Sequence, residues 1–231
     1  MCFSAGASFG ASAVLALVGT AAIRQSRTPA QMVFASIPLI FAVQQASEGL
    51  VWLSILHTSF AHWQQPATYI FLLFAQVLWP VWVPFAVLLL EKEKGRKKWL
   101  YLCLASGLLV SFYLAWRLLT QTVTSEIIGM HIFYKIGISG PMLSATAIVY
   151  FITTVLAPLI SSVKKMWYFG LSIAISYIVA EVFYDNYVIS VWCFFAAIIS
   201  IAVFTIILDL KKTFLEGRGF DRPKQVIASP D

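Results

Sequence analysis

Charged side chains are scarce in this chain of 231 residues, and their scarcity excludes a water-soluble globule. Only 11% of the residues are charged, whereas 60% are hydrophobic and 15% are aromatic. Soluble domains carry about 25% charged residues, so the deficit indicates a lipid solvent. Between Met1 and Ile23 there is no charged side chain, and no positive segment precedes the first apolar run. We therefore expect no cleavable leader and interpret this run as a retained helix.

The apolar residues fall into seven runs, each long enough for a helix that crosses about 30 Å of hydrocarbon. The predicted spans are Phe3–Ile23, Gln31–Leu56, Ala67–Leu90, Trp99–Leu119, Leu143–Ile160, Met166–Tyr184 and Val188–Leu208. The predicted fold is an all-α integral membrane protein, a seven-transmembrane-helix bundle formed by residues 1–208. Residues 209–231 are predicted to be a basic cytoplasmic tail that is partly disordered.

The basic residues between these runs lie almost wholly in alternate connections. Of the 16 Lys and Arg residues, 14 fall on one side of the predicted bundle, and only Arg117 and Lys135 fall on the other. The positive-inside rule then places the N-terminus outside and the C-terminus in the cytoplasm. The same clustering explains the net charge of +6 without a nucleic-acid partner. The expected partner is the lipid bilayer, and assembly into a homo-oligomer is left open.

The first three predicted spans resemble the last three when they are aligned. Glu48 falls on Glu181, and the segments Tyr69–Glu91 and Tyr187–Asp209 both begin with Tyr and end with an acid. This correspondence predicts a 3+1+3 parallel repeat in which the fourth helix is a linker. The alternative is that apolar helices of similar length look alike.

Two prolines, Pro80 and Pro84, lie in the middle of the third predicted span. Each removes a backbone N–H donor and disturbs the preceding helical turn, so a kink is expected there. Such a break persists in lipid only where neighbouring groups satisfy the freed carbonyls. Either the kink lies beside a cavity, or it only shapes the packing of the helices.

Polar residues of the predicted spans gather in the outer half of the bundle. A carboxylate at bilayer depth costs several kcal/mol unless it is paired or protonated, so such residues are candidates for function. Gln44, Glu48 and Trp52 share one helical face by their spacing. The sequence predicts a polar, ligand-binding pocket that opens to the extracytoplasmic side. Its predicted residues are Glu48, Gln44, Gln45, Gln76, Trp79, Glu181, Asp185, Ser4 and Arg117.

Several of these residues also have a purely structural interpretation. Glu48 could be a protonated carboxyl group that hydrogen-bonds to a neighbouring helix. Glu181 and Asp185 lie near the expected interface, where water could hydrate them. Arg117 could extend toward the headgroups or form a structural ion pair.

Cys2 and Cys193 both belong to the predicted outer half and have three interpretations. A disulfide is chemically allowed in an oxidising periplasm. Alternatively, the thiolates are reactive or bind a transition metal such as zinc, with His131 or a carboxylate completing the metal site. The third interpretation is two free buried thiols.

The connection from Thr120 to Pro141 has the pattern of a strand or hairpin. Apolar side chains alternate from Met130 to Ile138 across His131 and Lys135, and glycines mark the turns. If this hairpin lies above the pocket, it would act as a lid that carries His131 and Tyr134. A passive loop lying on the bundle is the alternative.

Four segments together resemble a bacterial multi-pass membrane family of unknown function. They are Met1-Cys-Phe-Ser-Ala5, Gln44-Gln45-x-x-Glu48-Gly49, Trp79-Pro80 and Ser190-Val-Trp-Cys-Phe-Phe-Ala-Ala197. The resemblance covers the chain from its first residue to the last predicted span. It implies a location in the bacterial inner membrane and implies no reaction.

Two functions of different classes remain open from the sequence. The first is a small-molecule transporter or ligand-binding membrane protein, with a small-molecule or lipid ligand in an outward-facing polar pocket centred on Glu48. The alternative is a membrane-embedded, metal-dependent enzyme of the hydrolase class. In that case Glu48 would act with Cys2, His131 or Cys193.

Overall fold

The computed structural model describes residues 4–137, 141–184 and 195–220, and most of them are helical. The α-helices are α1 Ala5–Gln25, α2 Pro29–Ala35, α3 Ile37–Leu56, α4 Gln64–Leu72, α5 Trp79–Leu90, α6 Lys94–Thr120, α7 Pro141–Ile160, α8 Met166–Tyr184 and α9 Ala196–Phe220. A 3-10 helix, Thr58–Trp63, precedes α4, and a π-helix, Leu73–Leu78, joins α4 to α5. The strands are β1 Val123–Ile128 and β2 His131–Ile136.

The expectation of a helical membrane protein is confirmed at this coarse level. Five helical segments in the described part of the chain are long and apolar enough to cross a bilayer. They are Ala5–Gln25, Pro29–Leu56, Thr58–Leu90, Lys94–Thr120 and Met166–Phe183, and a shorter apolar helix covers Ala145–Ile160. Large apolar side chains such as Leu109, Phe112 and Leu119 are 74%, 77% and 81% exposed, as lipid contact allows. The seven-span count, the orientation and the repeat stay predictions.

Helix boundaries within the second span follow from its prolines and capping residues. The side chain of Thr28 accepts a hydrogen bond from the Gln31 N–H, and Pro29 occupies the first turn of α2. Pro38 cannot donate a backbone hydrogen bond, so the helix is interrupted at Ser36. The backbone N–H of Ser36 donates to the carbonyls of Met32 and Phe34, and Phe34 is the residue whose carbonyl Pro38 cannot serve. The Ser36 hydroxyl donates to the Val33 carbonyl at 2.7 Å.

Each helix of the bundle packs against specific neighbours. α1 lies against α3 and α9, α5 lies against α6 and α7, and α8 lies between α7 and α9. A glycine allows α1 and α3 to approach closely, because a Cβ atom at Gly19 would lie 2.7 Å from the Leu39 side chain. Deep in the core, the rings of Phe34 and Phe169 meet edge to face at 5.2 Å.

The predicted hairpin is present at one end of the bundle. β1 and β2 pair antiparallel with Ile128 opposite His131, so Gly129 and Met130 form the turn. Gly129 has a φ of 63°, as expected for the first turn position of a type II′ hairpin. We call this end of the bundle the hairpin end, and we call the opposite end, where Lys94 begins α6, the basic end.

The hairpin is fixed to α4 by both polar and aromatic contacts. Gln64 donates to the Ser125 carbonyl at 2.9 Å, and the Thr68 hydroxyl donates to the Ser125 hydroxyl at 2.9 Å. The Phe71 and Tyr134 rings stack with centroids 4.7 Å apart. An apolar cluster that includes these two residues fills the space between the hairpin and the ends of α3 and α4.

Candidate functional site

Four polar or aromatic residues form one stripe along α3, and almost none of their surface is exposed. Gln44 and Glu48 are 0% exposed, Gln45 is 1% exposed and Trp52 is 4% exposed. At about 100° per residue, these positions fall within one sector of the helix. We call Gln44, Gln45, Glu48 and Trp52 the α3 stripe.

A hydrogen bond links two residues that the sequence predicted as ligand-binding. The indole Nε1 of Trp79 donates to Gln44 Oε1 at 2.8 Å, and the Trp79 ring stacks on Phe41 with centroids 4.0 Å apart. Trp79 begins α5, so this bond fastens the α3 stripe to the helix that contains the two prolines. Because the Gln44 oxygen accepts, the orientation of its amide group is fixed.

Other donors of the α3 stripe have no such partner. Within residues 4–137, 141–184 and 195–220, no acceptor lies within reach of Gln45 Nε2 or Trp52 Nε1. The hydroxyl groups of Ser8 and Ser200, both buried, also lack a partner there. A buried donor without an acceptor costs about 1–3 kcal/mol, so each of these groups requires an explanation.

The packing of α1 on α3 places Ser8 at the depth of the stripe. The Ser12 hydroxyl donates to the Ala42 carbonyl at 2.8 Å, and a Cβ atom at Gly49 would lie 2.9 Å from the Phe9 ring. These two contacts set an antiparallel register in which Ser8 falls level with residues 45–49. Ser8 and the α3 stripe therefore belong to the same layer of the bundle.

The break in the third span lies directly beside this layer, and it takes an unexpected form. A kink at the prolines was predicted, whereas the residues before them, Leu73–Leu78, form a π-helix. In a π register the Ala75 carbonyl would receive the N–H of residue 80, which proline lacks. The Tyr150 hydroxyl supplies the missing donor at 2.8 Å, and the Ser111 hydroxyl donates to the Val77 carbonyl at 2.6 Å.

Gly107 on α6 makes room for the carbonyl group that the second proline, Pro84, leaves without a donor. Because residue 84 is proline, the Pro80 carbonyl has no donor within its own helix. A Cβ atom at position 107 would lie 1.9 Å from that carbonyl oxygen, so only glycine allows α6 to pack this closely. Gln76, another predicted ligand residue, lies half-buried in the π-helix beside this contact.

Three further predicted ligand residues have surroundings of their own. Ser4 is exposed and caps α1, because its side chain accepts the Ala7 N–H at 3.2 Å. Glu181 on α8 is exposed and hydrogen-bonds to the Tyr177 hydroxyl. Arg117 is buried at the hairpin end, where it donates to the Ile136 carbonyl at 2.9 Å. The structure thus groups Gln44, Gln45, Glu48 and Trp79 in one buried layer, and the exposed Ser4 and Glu181 lie outside it.

Of the three predicted metal ligands, the structure describes only His131. Cys2 and Cys193, like Asp185, lie outside the described residues. No three His, Cys, Asp or Glu side chains in the described ranges are close enough to hold a metal ion. His131, at the start of β2, is half-buried, and burial lowers its pKa. The zinc site therefore stays a prediction.

The predicted lid carries its two residues on opposite faces. Ile132 and Tyr134 are buried against the bundle, whereas His131 and Lys135 alternate with them and lie on the outer face. Tyr134 stacks on Phe71, and both belong to the apolar cluster that also contains Trp52 of the α3 stripe. His131 and Tyr134 therefore lie on opposite faces of β2, because successive side chains of a strand point to opposite faces. That the hairpin acts as a lid stays a prediction.

A second polar cluster, at the basic end, was not predicted. Glu91 is 2% exposed, and its carboxylate accepts hydrogen bonds from the hydroxyl groups of Ser161 and Ser162 and from the N–H groups of Ser162, Lys92 and Glu93. Burial alone would raise the pKa of Glu91, but these hydrogen bonds hold it at about 2. The cluster connects the α5–α6 junction to the α7–α8 junction.

The α3 stripe gathers several kinds of polar group in one buried layer. It combines an acid, amide and indole donors and hydroxyl groups in an apolar setting, beside a helix whose backbone is interrupted. No curated protein and no solved structure matches the chain. A family model described as a family of unknown function, DUF6629, matches residues 1–213. The chain therefore belongs to this family of unknown function.

Proposed function

We propose that this protein is a small-molecule transporter or ligand-binding membrane protein whose polar site is centred on Glu48. The observation that carries the proposal is the complete burial of Glu48 in the middle of α3, within a stripe of amide and indole groups. A carboxyl group in a membrane helix is costly and is retained mainly where it serves a function. Gln44 and Trp79 would orient the site, since their hydrogen bond fixes both side chains.

The broken third span supports this proposal. Transporters often place their binding sites beside interrupted helices, because the freed backbone groups line a cavity and the break permits movement. Here the π-helix Leu73–Leu78 and the two prolines lie beside the α3 stripe, and Trp79 connects the break to Gln44. Movement of α5 about the break would change the surroundings of the stripe.

The proposal includes the finer membrane arrangement that the sequence predicts. The protein would cross the bacterial inner membrane seven times, in a 3+1+3 plan, with its N-terminus outside. The ligand would enter from the hairpin end. Glu48 would serve as the central charge or the proton-coupling group, and Gln44, Gln45 and Gln76 would orient the ligand.

The test compares two acids of the predicted spans. Purified protein is reconstituted in liposomes that contain a pH-sensitive dye, and a panel of amino acids, sugars, amines and organic acids is added in turn. Thermal unfolding in detergent measures binding of the same panel. We expect Glu48→Gln to weaken the dye response and the binding of active solutes at least about tenfold, equivalent to about 1.4 kcal/mol. Glu181→Gln, at an exposed position, should leave them nearly unchanged.

Two outcomes would contradict the proposal. One is that every solute that acts on the wild-type protein acts equally on the Glu48→Gln protein. The other is that Glu181→Gln and Glu48→Gln weaken the responses to the same extent, since the buried environment of Glu48 would then have no special role.

A further inference from the structure

Two short segments at the basic end share a sequence pattern. One is Lys97-Lys-Trp-Leu-Tyr101 in α6, and the other is Lys164-Lys-Met-Trp-Tyr168 at the start of α8. In both, two Lys residues are followed by an exposed Trp and an exposed Tyr, whereas the remaining residue, Leu100 or Met166, is fully buried. We call these the lysine–aromatic segments. Each packs into the bundle through one apolar side chain and directs two aromatic rings outward.

Both segments adjoin the same end of α7. At the start of α6, the Arg96 side chain donates to the carbonyl of Ile160, the last residue of α7, at 2.8 Å. In α8, a Cβ atom at Gly170 would lie 3.0 Å from the Leu159 side chain of α7. Helices that pack in this way have axes about 8–10 Å apart. The basic end of α7 therefore has one lysine–aromatic segment beside it on α6 and another on α8.

The outward face of α7 is apolar. Its exposed residues recur every three or four positions, which places them on one helical face, and they include Ile148, Ile152, Leu156 and Leu159. We call these four residues the α7 stripe. At the basic end the stripe reaches Leu159, which lies beside Gly170 of α8. An exposed apolar surface of this extent indicates contact with a membrane or a partner.

The charges around the two segments favour an anion. Three acids at the basic end are already engaged, because Glu91 is buried among serine donors and both Glu93 and Asp209 form salt bridges. Among residues 4–137, 141–184 and 195–220, no salt bridge involves the exposed Lys98 or Lys164. Each segment thus offers one exposed positive charge next to its aromatic rings.

We propose that this face of the bundle binds anionic phospholipids, with one headgroup at each lysine–aromatic segment. The exposed Lys binds the phosphate, since Lys residues near a membrane surface are attracted to anionic lipids. The Trp and Tyr rings lie at the level of the headgroups, where amphipathic rings are enriched. The acyl chains lie on the α7 stripe. A soluble phosphate or an acidic protein would use the Lys residues but would leave this apolar stripe without a contact.

The first test compares two lipids and two matched double variants. The unfolding temperature of the purified protein in nonionic detergent is measured while phosphatidylglycerol or phosphatidylcholine with the same acyl chains is added. We expect phosphatidylglycerol to raise that temperature at lower concentrations than phosphatidylcholine does. Lys98→Gln combined with Lys164→Gln should require at least about tenfold more phosphatidylglycerol for the same rise. Arg24→Gln combined with Arg27→Gln removes two exposed charges outside the segments and should require less than about threefold more.

Three results of this test would overturn the proposal. An equal loss in both double variants would show that only the total positive charge matters. Equal stabilisation of the wild-type protein by the two lipids would show that the headgroup charge is not recognised. Glycerol phosphate, the headgroup without acyl chains, should have no effect at the same concentrations. If it stabilises the protein as well as phosphatidylglycerol does, the segments bind a free phosphate and not a lipid.

The second test measures lipid contact and does not depend on stability. Phospholipids brominated on their acyl chains quench the fluorescence of Trp residues that they touch. Trp99 and Trp116 are 62% and 54% exposed on α6, and only Trp99 belongs to a lysine–aromatic segment. We expect brominated phosphatidylglycerol to quench the wild-type protein more than brominated phosphatidylcholine does. Trp99→Phe should reduce this difference and Trp116→Phe should retain it, so an unchanged difference in Trp99→Phe would contradict the proposal.

These measurements are independent of the proposed ligand site. The α3 stripe is buried, whereas the α7 stripe is exposed, so Glu48→Gln should bind phosphatidylglycerol as the wild-type protein does. A failure of the solute panel would leave the lipid proposal intact. Loss of the lipid preference would equally leave the proposed function intact.

Discussion

The two fully buried carboxyl groups described above lie in different surroundings. Glu91 ends α5, where the backbone N–H groups of Lys92 and Glu93 point at its carboxylate and two serines add their hydroxyl groups. Glu48 lies in the middle of α3, where neighbouring N–H groups are used by the helix itself. At the residue scale, Glu91 is therefore a structural anion, whereas Glu48 is the buried acid on which the proposed function rests.

Stability should depend on Glu91 in a pH-dependent way. Its pKa falls from 4.5 to about 2 in the folded protein, so the carboxylate stabilises the fold fully above pH 4.5. That contribution disappears as the pH falls toward 2. We expect Glu91→Gln to cost about 1–3 kcal/mol at neutral pH. The difference from wild type in thermal unfolding should narrow between pH 4.5 and pH 2.

The neighbouring acid is the matched control for this prediction. Glu93 forms an exposed ion pair with Arg96 at 2.8 Å, and such pairs contribute about 0–1 kcal/mol. Glu93→Gln should therefore have a small effect at every pH. An equal loss of stability in both variants would show that the buried serine contacts of Glu91 do not stabilise the fold more than an exposed ion pair does.

At the scale of elements, the third span depends on its neighbours for its shape. Tyr150 of α7 donates to the Ala75 carbonyl, whose donor in the π register would be the missing N–H of Pro80. Ser111 of α6 donates to the Val77 carbonyl. Gly107 lets α6 approach the Pro80 carbonyl. The site and the break are thus held together by contacts between helices that are distant in the sequence.

Gly107→Ala tests this close approach. The added methyl group would overlap the Pro80 carbonyl oxygen, which belongs to the backbone and cannot rotate away. We expect a loss of about 1–3 kcal/mol or more, as for other overpacked positions. Gly95→Ala in the same helix has nothing within 4 Å and should be neutral or slightly stabilising. Equal unfolding temperatures for the two variants in detergent would refute the proposed packing role.

Sequence reasoning predicted those elements whose signals are local. About 20 apolar residues are needed to cross a bilayer, so most helices were found within a few residues of their observed ends. The last helix is an exception, because it continues to Phe220, beyond its predicted end at Leu208. Alternating side chains and Gly129 predicted the hairpin, and Ser4 could have been recognised as an N-cap from its position before α1. The π-helix could not be predicted, because it depends on hydroxyl groups from two later helices.

Only part of the candidate site could be predicted, because only part of it depends on residues that are close in the sequence. The spacing of Gln44, Glu48 and Trp52 was visible in the sequence, and these residues do share a buried face. The Gln44–Trp79 hydrogen bond joins residues 35 positions apart, and the Glu91–Ser162 contact joins residues 71 positions apart. Such pairs carry no local signal, so the amide orientation and the cluster at the basic end required the structure.

At the scale of the whole molecule, both ends of the bundle are closed by specific contacts. At the basic end, Arg96 donates to the Ile160 carbonyl at 2.8 Å, and Lys165 pairs with Asp209 at 3.0 Å. At the hairpin end, the apolar cluster around Phe71 and Tyr134 covers the approach to α3. Because the α3 stripe is buried, the proposed function would require one of these ends to open for ligand exchange.

The predicted orientation can be measured by labelling single cysteines in intact cells. The three native cysteines are replaced, and Thr124→Cys or Lys94→Cys is introduced at an exposed position. The positive-inside rule places the basic end in the cytoplasm and the hairpin end outside. We therefore expect a membrane-impermeant maleimide to label Thr124→Cys in intact cells. Lys94→Cys should react only after the cells are permeabilised. The reverse pattern would place the hairpin end in the cytoplasm.

The hydroxyl groups that complete the third span have a consequence for biogenesis. Ser111 and Tyr150 are synthesised after Ala75 and Val77, whose carbonyls they bind. A nascent chain that has inserted only its first three segments would leave the Ala75 carbonyl without the Tyr150 donor, and an unsatisfied carbonyl in hydrocarbon costs several kcal/mol. The insertion machinery, or water beside it, must therefore shelter this segment until two further helices have left the ribosome.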